Sequence, residues 1–324
     1  MGAFAALGLA LVVYLVLSTG WRAVLSSAAA VGFGGFAVIC LCALGLFGLL
    51  GAAWSVLWPL STGSGVWVFV RARMVRDCAA EVLPFSQFGG IALGVRAAIL
   101  QRVRPPVAAA SMIADVTTEM IAQIAYTLLG VALLASRAPR GSLTSALTRG
   151  TLIGLSIATL AAALFIAVQR RGVPVAARLA APLLKRLGAT GAAAGAVLNE
   201  IYRAPGRIAL SLTLHFCAWI GNGVAGWIGL RLIGAHVDLG AALGIESLLC
   251  AMRSAAPFVP SALGVQEAAY VVLAPLFGVS VQFALALSLL KRARDVVLGV
   301  PVLLIWQTAE SRRAFAQAVS SATR

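Results

Sequence analysis

Residues 251–295 read AMRSAAPFVPSALGVQEAAYVVLAPLFGVSVQFALALSLLKRARD, and this stretch decides the fold. It is mostly apolar, yet it contains six charged residues and three prolines, namely Arg253, Glu267, Lys291, Arg292, Arg294, Asp295, Pro257, Pro260 and Pro275. A charge at the middle of a bilayer costs at least ~2.5 kcal/mol. Irregular backbone survives at that depth only when it is buried in protein or lines a wet cavity. The stretch therefore predicts a functional centre inside a membrane-embedded bundle, enclosed by the other hydrophobic segments.

Composition places the whole chain in the membrane class. Of its 324 residues, 61% are hydrophobic and 11% are charged, whereas soluble domains are about 25% charged. No hydrophilic block is long enough to form a separate soluble domain. The sequence therefore predicts an all-α, polytopic integral membrane helical bundle that forms one transmembrane domain over residues 1–324.

The net charge of +15 comes from basic residues between the apolar segments. Positive charge on cytoplasmic loops explains this placement better than nucleic-acid binding does, so no nucleic-acid partner is predicted. The densest basic segment, 170–207, is placed in the cytoplasm, where it is either a helix on anionic headgroups or a loop that only orients the chain. The five cysteines have no disulfide or zinc spacing, and neither a metal site nor a cofactor is predicted.

Several apolar segments reach the roughly 20 residues that a transmembrane helix needs. They are 3–20, 31–58, 107–134, 151–168 and 208–233. Trp21–Ser27 is expected to be an interfacial turn, and Trp54 and Trp58 are expected at the membrane interface. Val66–Val70 is too short to cross, and a run of charges follows it as far as Glu81.

Other apolar segments are too short or too interrupted to be ordinary spans. Ile91–Leu100 carries Arg96 and lies between two glycines and two prolines. We favour a re-entrant segment over an interfacial amphipathic helix, because Arg96 sits on an otherwise apolar helix. In the second half, segments 239–256, 262–277 and 280–306 hold the charges, and Lys291–Asp295 lies either inside one span or at another broken helix.

The predicted span 107–134 has a polar face. Asp115, Glu119, Gln123 and Tyr126 share that face, which must point into the bundle. Two acids at this spacing repel each other unless a cation lies near them or one holds a proton. We expect the set Glu267, Arg294 and Asp295 to lie together near this face.

The two halves of the chain, about 1–170 and 208–324, contain a similar sequence pattern. Pro84-Phe85 precedes a Leu-Gly-Val sequence and Arg96, and Pro257-Phe258 precedes another Leu-Gly-Val sequence and Glu267. Paired interrupted hydrophobic segments in corresponding places point to a transporter site. With both termini in the cytoplasm, the two broken elements enter from opposite sides, which predicts an inverted repeat of broken or re-entrant helices.

Two blocks carry a resemblance to a known family. Glu81–Glu119 (EVLPFSQFGG…R…AAASMIADVTTE) and Pro260–Asp295 (PSALGVQEA…FGV…ALALSLLKRARD) resemble the flippase-like family that includes the transmembrane region of lysylphosphatidylglycerol synthases. The sequences of these two blocks are most similar to the hopanoid-biosynthesis-associated HpnL branch of that family. The resemblance implies a bacterial inner-membrane bundle that handles lipids. The family often has P-G-G-L-G in the second block, where this chain has Ser261-Ala262 in place of Gly-Gly.

The sequence supports a lipid translocator as the first hypothesis. Half-helix N-termini and arginines would bind an anionic headgroup, and the candidate residues are Arg96, Arg292, Arg294, Ser86, Gly89, Gly90, Ser261 and Gly264. Acids would pair with these arginines or carry a coupling proton, and the candidates are Asp115, Glu119, Glu267 and Asp295. The predicted partners are membrane lipids, either a hopanoid, which the resemblance implies, or a hopanoid-linked or other anionic lipid.

Two alternatives stay open. A membrane enzyme is disfavoured because the chain has no G-x-S-x-G or H-E-x-x-H motif and only two histidines, so no catalytic residue is predicted. A non-transporting partner that anchors lipid-biosynthesis proteins is the other alternative. In that case the buried charges are structural ion pairs.

Overall fold

The computed structural model describes most of the chain as helix. It describes residues 2–58, 65–83, 86–137, 191–256 and 259–322, together with a few positions between 145 and 156. Within those residues there is no strand. The predicted span 151–168 and most of the basic segment 170–207 lie outside the described residues, as do Pro84-Phe85 and Pro257-Phe258.

The described residues form eleven α-helices and one short 3₁₀-helix. The first six are α1 (Gly2–Thr19), α2 (Trp21–Ala29), α3 (Gly32–Val56), α4 (Val66–Val82), α5 (Ser86–Leu100) and α6 (Pro105–Arg137). The others are α7 (Gly191–Tyr202), α8 (Pro205–Leu232), α9 (Leu239–Ser254), the 3₁₀-helix (Pro260–Ala262), α10 (Val265–Leu276) and α11 (Val281–Ala322).

Three helices are long and apolar enough to cross a membrane, namely α3, α6 and α8. A bent pair, Ala10–Thr19 with Trp21–Ala29, can count as a fourth span with a bend of 92°. The expected interfacial turn at Trp21–Ser27 is therefore wrong, since these residues form α2. The bend occurs at Gly20, whose φ of 98° lies in the left-handed region that glycine tolerates. The all-α, multi-pass membrane architecture is confirmed.

The structure corrects the prediction for residues 66–82. The short apolar piece and the charges after it form one helix, α4, with Arg73 and Arg76 buried. This helix packs along α5 as a helical hairpin, which we call hairpin 1. The two helices approach closely, because a Cβ on Gly90 would lie 2.5 Å from the Arg76 carbonyl oxygen.

A second helical hairpin occupies the other half. The helices α9 and α10 pack on each other, and the 3₁₀-helix lies in the turn between them; we call this unit hairpin 2. Helix α11 then runs for 42 residues without interruption, so Lys291–Asp295 lies inside one helix. Of the two alternatives for these charges, the single continuous segment is the observed one.

The tryptophans near the end of α3 lie in the protein core, and their expected level in the membrane stays a prediction. Trp54 is fully buried and Trp58 nearly so, and both contact the Phe69 ring edge-on at centroid distances of 5.3 and 5.2 Å. The Trp54 Nε1–H donates to Ser111 Oγ at 3.1 Å. Because α4 and α6 cover this end of α3, the apolar area of the rings is buried against protein.

Candidate functional site

The polar face of α6 meets two arginines of hairpin 1. Arg73 donates to Asp115 Oδ2 at 3.0 Å and also to Glu119. Arg76 donates to Asp115 Oδ2 at 3.1 Å and to Glu119 Oε2 at 2.8 Å. The prediction that this face points into the bundle is confirmed, because Asp115 is fully buried. Of the two ways to relieve the repulsion between the acids, a nearby cation or a held proton, the structure shows nearby cations.

Two further groups complete this arrangement. Asp77 accepts from Arg73 Nε at 2.7 Å, and His215 of α8 places Nε2 3.0 Å from Asp115 Oδ1. We call this set the arginine cluster: Arg73, Arg76, Asp77, Asp115, Glu119 and His215. It binds α4, α6 and α8 together through charge-assisted hydrogen bonds, which are the strong kind.

The second half has buried ion pairs of the opposite polarity. Here the acids lie on hairpin 2 and the cations on α11. Lys291 Nζ donates to both Glu246 oxygens at 2.6 Å, and Tyr270 donates to Glu246 Oε1 at 2.6 Å. Each half therefore joins a helical hairpin to a long helix by buried ion pairs.

The turn of hairpin 2 has a backbone that glycine would favour. Ser261 and Ala262 have φ values of 52° and 46°, so the chain keeps this conformation without the Gly-Gly pair. The Arg292 guanidinium donates to the Ser261 carbonyl at 2.6 Å and to the Ala262 carbonyl at 3.3 Å. It also contacts Glu267 Oε1 at 3.2 Å. These bonds account for the stability of the strained turn.

The turns of the two hairpins contact each other. Arg253, at the end of α9, donates to the Glu81 carboxylate at the end of α4, and the Ser261 hydroxyl donates to the Glu81 carbonyl. Arg294 and Asp295 form a neighbouring pair, with the Arg294 Nη2 2.6 Å from Asp295 Oδ1, and lie within electrostatic range of Arg253 and Glu81. We call Glu81, Arg253, Arg294 and Asp295 the tip cluster.

The tip cluster is more accessible than the most deeply buried ion pairs. Side-chain exposure is 26% for Arg253, 23% for Glu81, 16% for Arg294 and 18% for Asp295. Asp115 and Glu246, at 0% and 2%, are closed off by comparison. The tip cluster can therefore meet an external anion, whereas the buried pairs are committed to each other.

The sequence-predicted residues fall into separate groups. Asp115 and Glu119 pair with the α4 arginines, Glu267 contacts Arg292, and Arg294 pairs with Asp295. The direct contacts of these residues thus do not join them into the expected single network. The charge run that ends at Glu81 supplies the α6 partners, because the long side chains of Arg73 and Arg76 reach from α4 to the polar face of α6.

The other residues predicted to bind a headgroup make contacts within the protein. Arg96 pairs with Glu310 through its Nε at 3.0 Å, and Gly264 donates its N–H to Glu267 Oε2 at 3.0 Å. Gly90 is buried against α4, Gly89 is half-buried, and Ser86 begins α5. The Arg292 guanidinium donates its hydrogen bonds to Glu267 and to the carbonyls of Ser261 and Ala262.

Sequence reasoning missed three residues that now stand out. Arg73 and Arg76 are three apart on one helix, so they share one face, and that spacing was a usable signal. His215 had no such signal, since a lone histidine in an apolar segment is uninformative. Within the described part of the chain there is no group of three metal-binding side chains.

Comparison with known proteins gives one match. A family model described as the lysylphosphatidylglycerol synthase TM region matches residues 3–302. No curated protein and no solved structure matches the chain. The match covers both hairpins, the arginine cluster and the tip cluster.

Proposed function

The chain belongs to the lysylphosphatidylglycerol synthase TM-region family, a lipid-related membrane family, and on that premise we propose that it moves an anionic lipid between the leaflets of a bacterial inner membrane. The observation that carries the proposal is the tip cluster. Two helical hairpins meet end to end there, and two partly exposed arginines lie at their junction. Substrate sites of transporters lie at the interface between the two halves.

The chemistry of the tip cluster fits a phosphate-bearing headgroup. An arginine guanidinium presents several donors in a planar fork that matches phosphate oxygens. Arg253 and Arg294 are each held by a carboxylate on one side and remain partly exposed. A headgroup phosphate would compete with Glu81 and Asp295 for these donors, so binding and release can exchange one anion for another.

A more specific part of this proposal concerns hopanoids as the apolar portion of the lipid. A bare hopanoid is neutral, and arginines favour a negative headgroup. We therefore assign the anionic part of the lipid to the tip cluster and a hopanoid as a candidate apolar portion. A deletion strain should still make hopanoids but distribute them, or their conjugates, differently between its two membranes.

The direct test uses purified protein in lipid vesicles. Vesicles containing fluorescent phosphatidylglycerol are treated with an impermeant quencher, and the loss of fluorescence reports lipid that has moved outward. The wild-type protein should speed this movement relative to empty vesicles, and Arg253→Gln should remove most of the effect. Arg71→Gln is the matched control, because Arg71 is an exposed arginine on α4.

The outcomes separate three functions. Faster movement of a chemically unchanged lipid supports the translocator. A changed lipid mass would indicate an enzyme, and vesicles that behave like empty ones would favour a scaffold for lipid-biosynthesis proteins.

A further inference from the structure

The Glu81 carboxylate, where the two hairpins meet, has an oxygen atom without a hydrogen-bond donor. Its Oε1 accepts from Arg253. Its Oε2 is buried and has no partner among the described residues. A buried acceptor without a donor is costly, and more so when it carries charge. The Glu81 side chain therefore relies on Arg253 for its hydrogen bonding.

The neighbouring ion pair of the tip cluster is bonded more fully. Arg294 donates to Asp295 Oδ1 through both Nε, at 3.0 Å, and Nη2, at 2.6 Å, whereas Arg253 donates to Glu81 through Nη2 alone. The second donor of Arg253, Nη1, is directed to the neutral Gln266 Oε1 at 3.1 Å. The Arg253–Glu81 pair is also the more exposed of the two. It is therefore the pair that an incoming headgroup opens first.

A bound phosphate would upset the charge balance of the tip cluster. The cluster holds two guanidiniums and two carboxylates, so one phosphate makes three anions against two cations. The other interior cations of the described chain are already paired with carboxylates, namely Arg73, Arg76, Lys291 and Arg292. When the phosphate takes Arg253, Glu81 is left without its donor, and an unpaired charge in an apolar interior is costly.

We propose that Glu81 selects lipids whose headgroup carries a hydrogen-bond donor, a hydroxyl or an amine, close to the phosphate. The phosphate accepts from Arg253, and the headgroup O–H or N–H takes the place of that arginine on Glu81. One molecule then satisfies both members of the opened ion pair. Because Arg253 and Glu81 are in direct contact, the phosphate and the donor must be only a few bonds apart. This selection rests on the proposed function, since it takes the tip cluster as the headgroup site.

Neutral polar side chains beside the pair fit a headgroup of this kind. Ser254 follows Arg253 directly and is exposed, and Gln123 Nε2 of α6 donates to its hydroxyl at 2.5 Å. The Ser261 hydroxyl donates to the Glu81 carbonyl on the other hairpin. Hydroxyl and amide groups can exchange hydrogen bonds with a hydroxyl or an amine without adding charge.

Lipid binding in detergent tests the selection without requiring lipid movement. Three short-chain lipids differ only in their headgroup: phosphatidylmethanol has a phosphate and no further donor, phosphatidylglycerol adds hydroxyls at the same charge, and phosphatidylethanolamine adds an ammonium. We expect the wild-type protein to bind at least one donor-bearing lipid about tenfold more tightly than phosphatidylmethanol, as a hydrogen bond to a charged group allows. The tighter of the two identifies the donor as a hydroxyl or an amine.

Glu81→Ala is the matched variant, because it removes both the acceptor for the donor and the carboxylate that competes for Arg253. It should bind phosphatidylmethanol at least as tightly as the wild-type protein does, and it should lose the preference for donor-bearing lipids. Misfolded protein cannot give that combination. Glu200→Ala, which removes an exposed acid on α7, should keep the preference.

The outcomes distinguish this selection from the proposed function. Equal binding of all three lipids by the wild-type protein overturns the selection, and that result needs no variant to fold. A preference that survives in Glu81→Ala overturns the assignment to Glu81. If vesicle assays show phosphatidylglycerol and phosphatidylmethanol moving at the same rate, the translocator stands and the selection fails. If the protein prefers donor-bearing lipids but moves none, the selection stands and the translocator fails.

Discussion

Arg253 and Glu81 form an ion pair that joins the turns of the two helical hairpins. They come from different halves of the chain, 172 positions apart. Each side chain is partly exposed, so the ion pair is not completely buried. An ion pair in that position can open and reclose at a small cost, which suits a contact between moving parts.

The Arg253–Glu81 pair should show a charge-specific functional effect. Arg253→Glu alone and Glu81→Arg alone should each reduce lipid movement at least tenfold, because each places like charges at the tip cluster. The double exchange should recover part of the rate, since the pair is restored in reverse. Vesicle assays measure this, and equal loss in all three variants would show that the pairing itself is unimportant.

The arginine cluster should dominate folding stability. Asp115→Asn removes an acceptor shared by two buried arginines, and breaking a buried pair costs about 3–5 kcal/mol. Glu310→Gln is the control, because Arg96 and Glu310 are 33% and 28% exposed and such pairs contribute at most ~1 kcal/mol. Thermal unfolding in detergent should separate the two variants clearly.

Gly51 should be intolerant of a methyl group. A Cβ there would overlap the Val70 backbone, so Gly51→Ala must separate α3 from α4. Overpacking of this kind costs about 1–3 kcal/mol. Gly48→Ala, on the same helix with open space around it, should leave the unfolding temperature unchanged or raise it. Equal effects at both positions would contradict the close contact.

The strained turn of hairpin 2 should accept glycine. Ala262→Gly relieves a φ of 46° and should leave the unfolding temperature equal or higher. Ala269→Gly, in the middle of the buried helix α10, should lower stability by about 1 kcal/mol. In the Ala262→Gly background, Arg292→Gln should also cost less than in wild type. An additive result would mean that Arg292 does not hold the turn.

Membrane topology can be tested at two described positions. Positive-inside placement puts the segment before α8 in the cytoplasm and the segment after it outside. In a chain cleared of native cysteines, an impermeant thiol reagent on whole cells should label His236→Cys and spare Arg203→Cys. Both residues are exposed, so accessibility within the protein is matched, and the reverse pattern would invert the assignment.

The sequence predicts the long elements well for a physical reason. Helices α3, α6 and α8 are long apolar segments, and their length alone sets them apart from loops. The i, i+4 spacing of Asp115 and Glu119 also fixes which side of α6 is buried. Such local regularities survive in any tertiary context.

Which charged side chains pair with each other could not be predicted in the same way. The sequence shows Arg73 and Arg76 only as part of a run of charges, because nothing local indicates that α4 packs into the bundle. The pairing of Arg253 with Glu81 depends on two turns meeting in space. Trp54 is a similar case, since only the packing of α4 and α6 shows that its ring is buried in protein.

Helix α11 is bound to both hairpins by ion pairs. It holds hairpin 2 through Lys291 and Arg292 and hairpin 1 through the Glu310–Arg96 pair. The attachment points at Arg292 and Glu310 are about 27 Å apart along its axis. A tilt of one hairpin is therefore transmitted to the other through α11 as well as through the direct contact between their turns. Pro301 lies between the attachment points, and because proline removes one helical hydrogen bond, it is where α11 bends most easily.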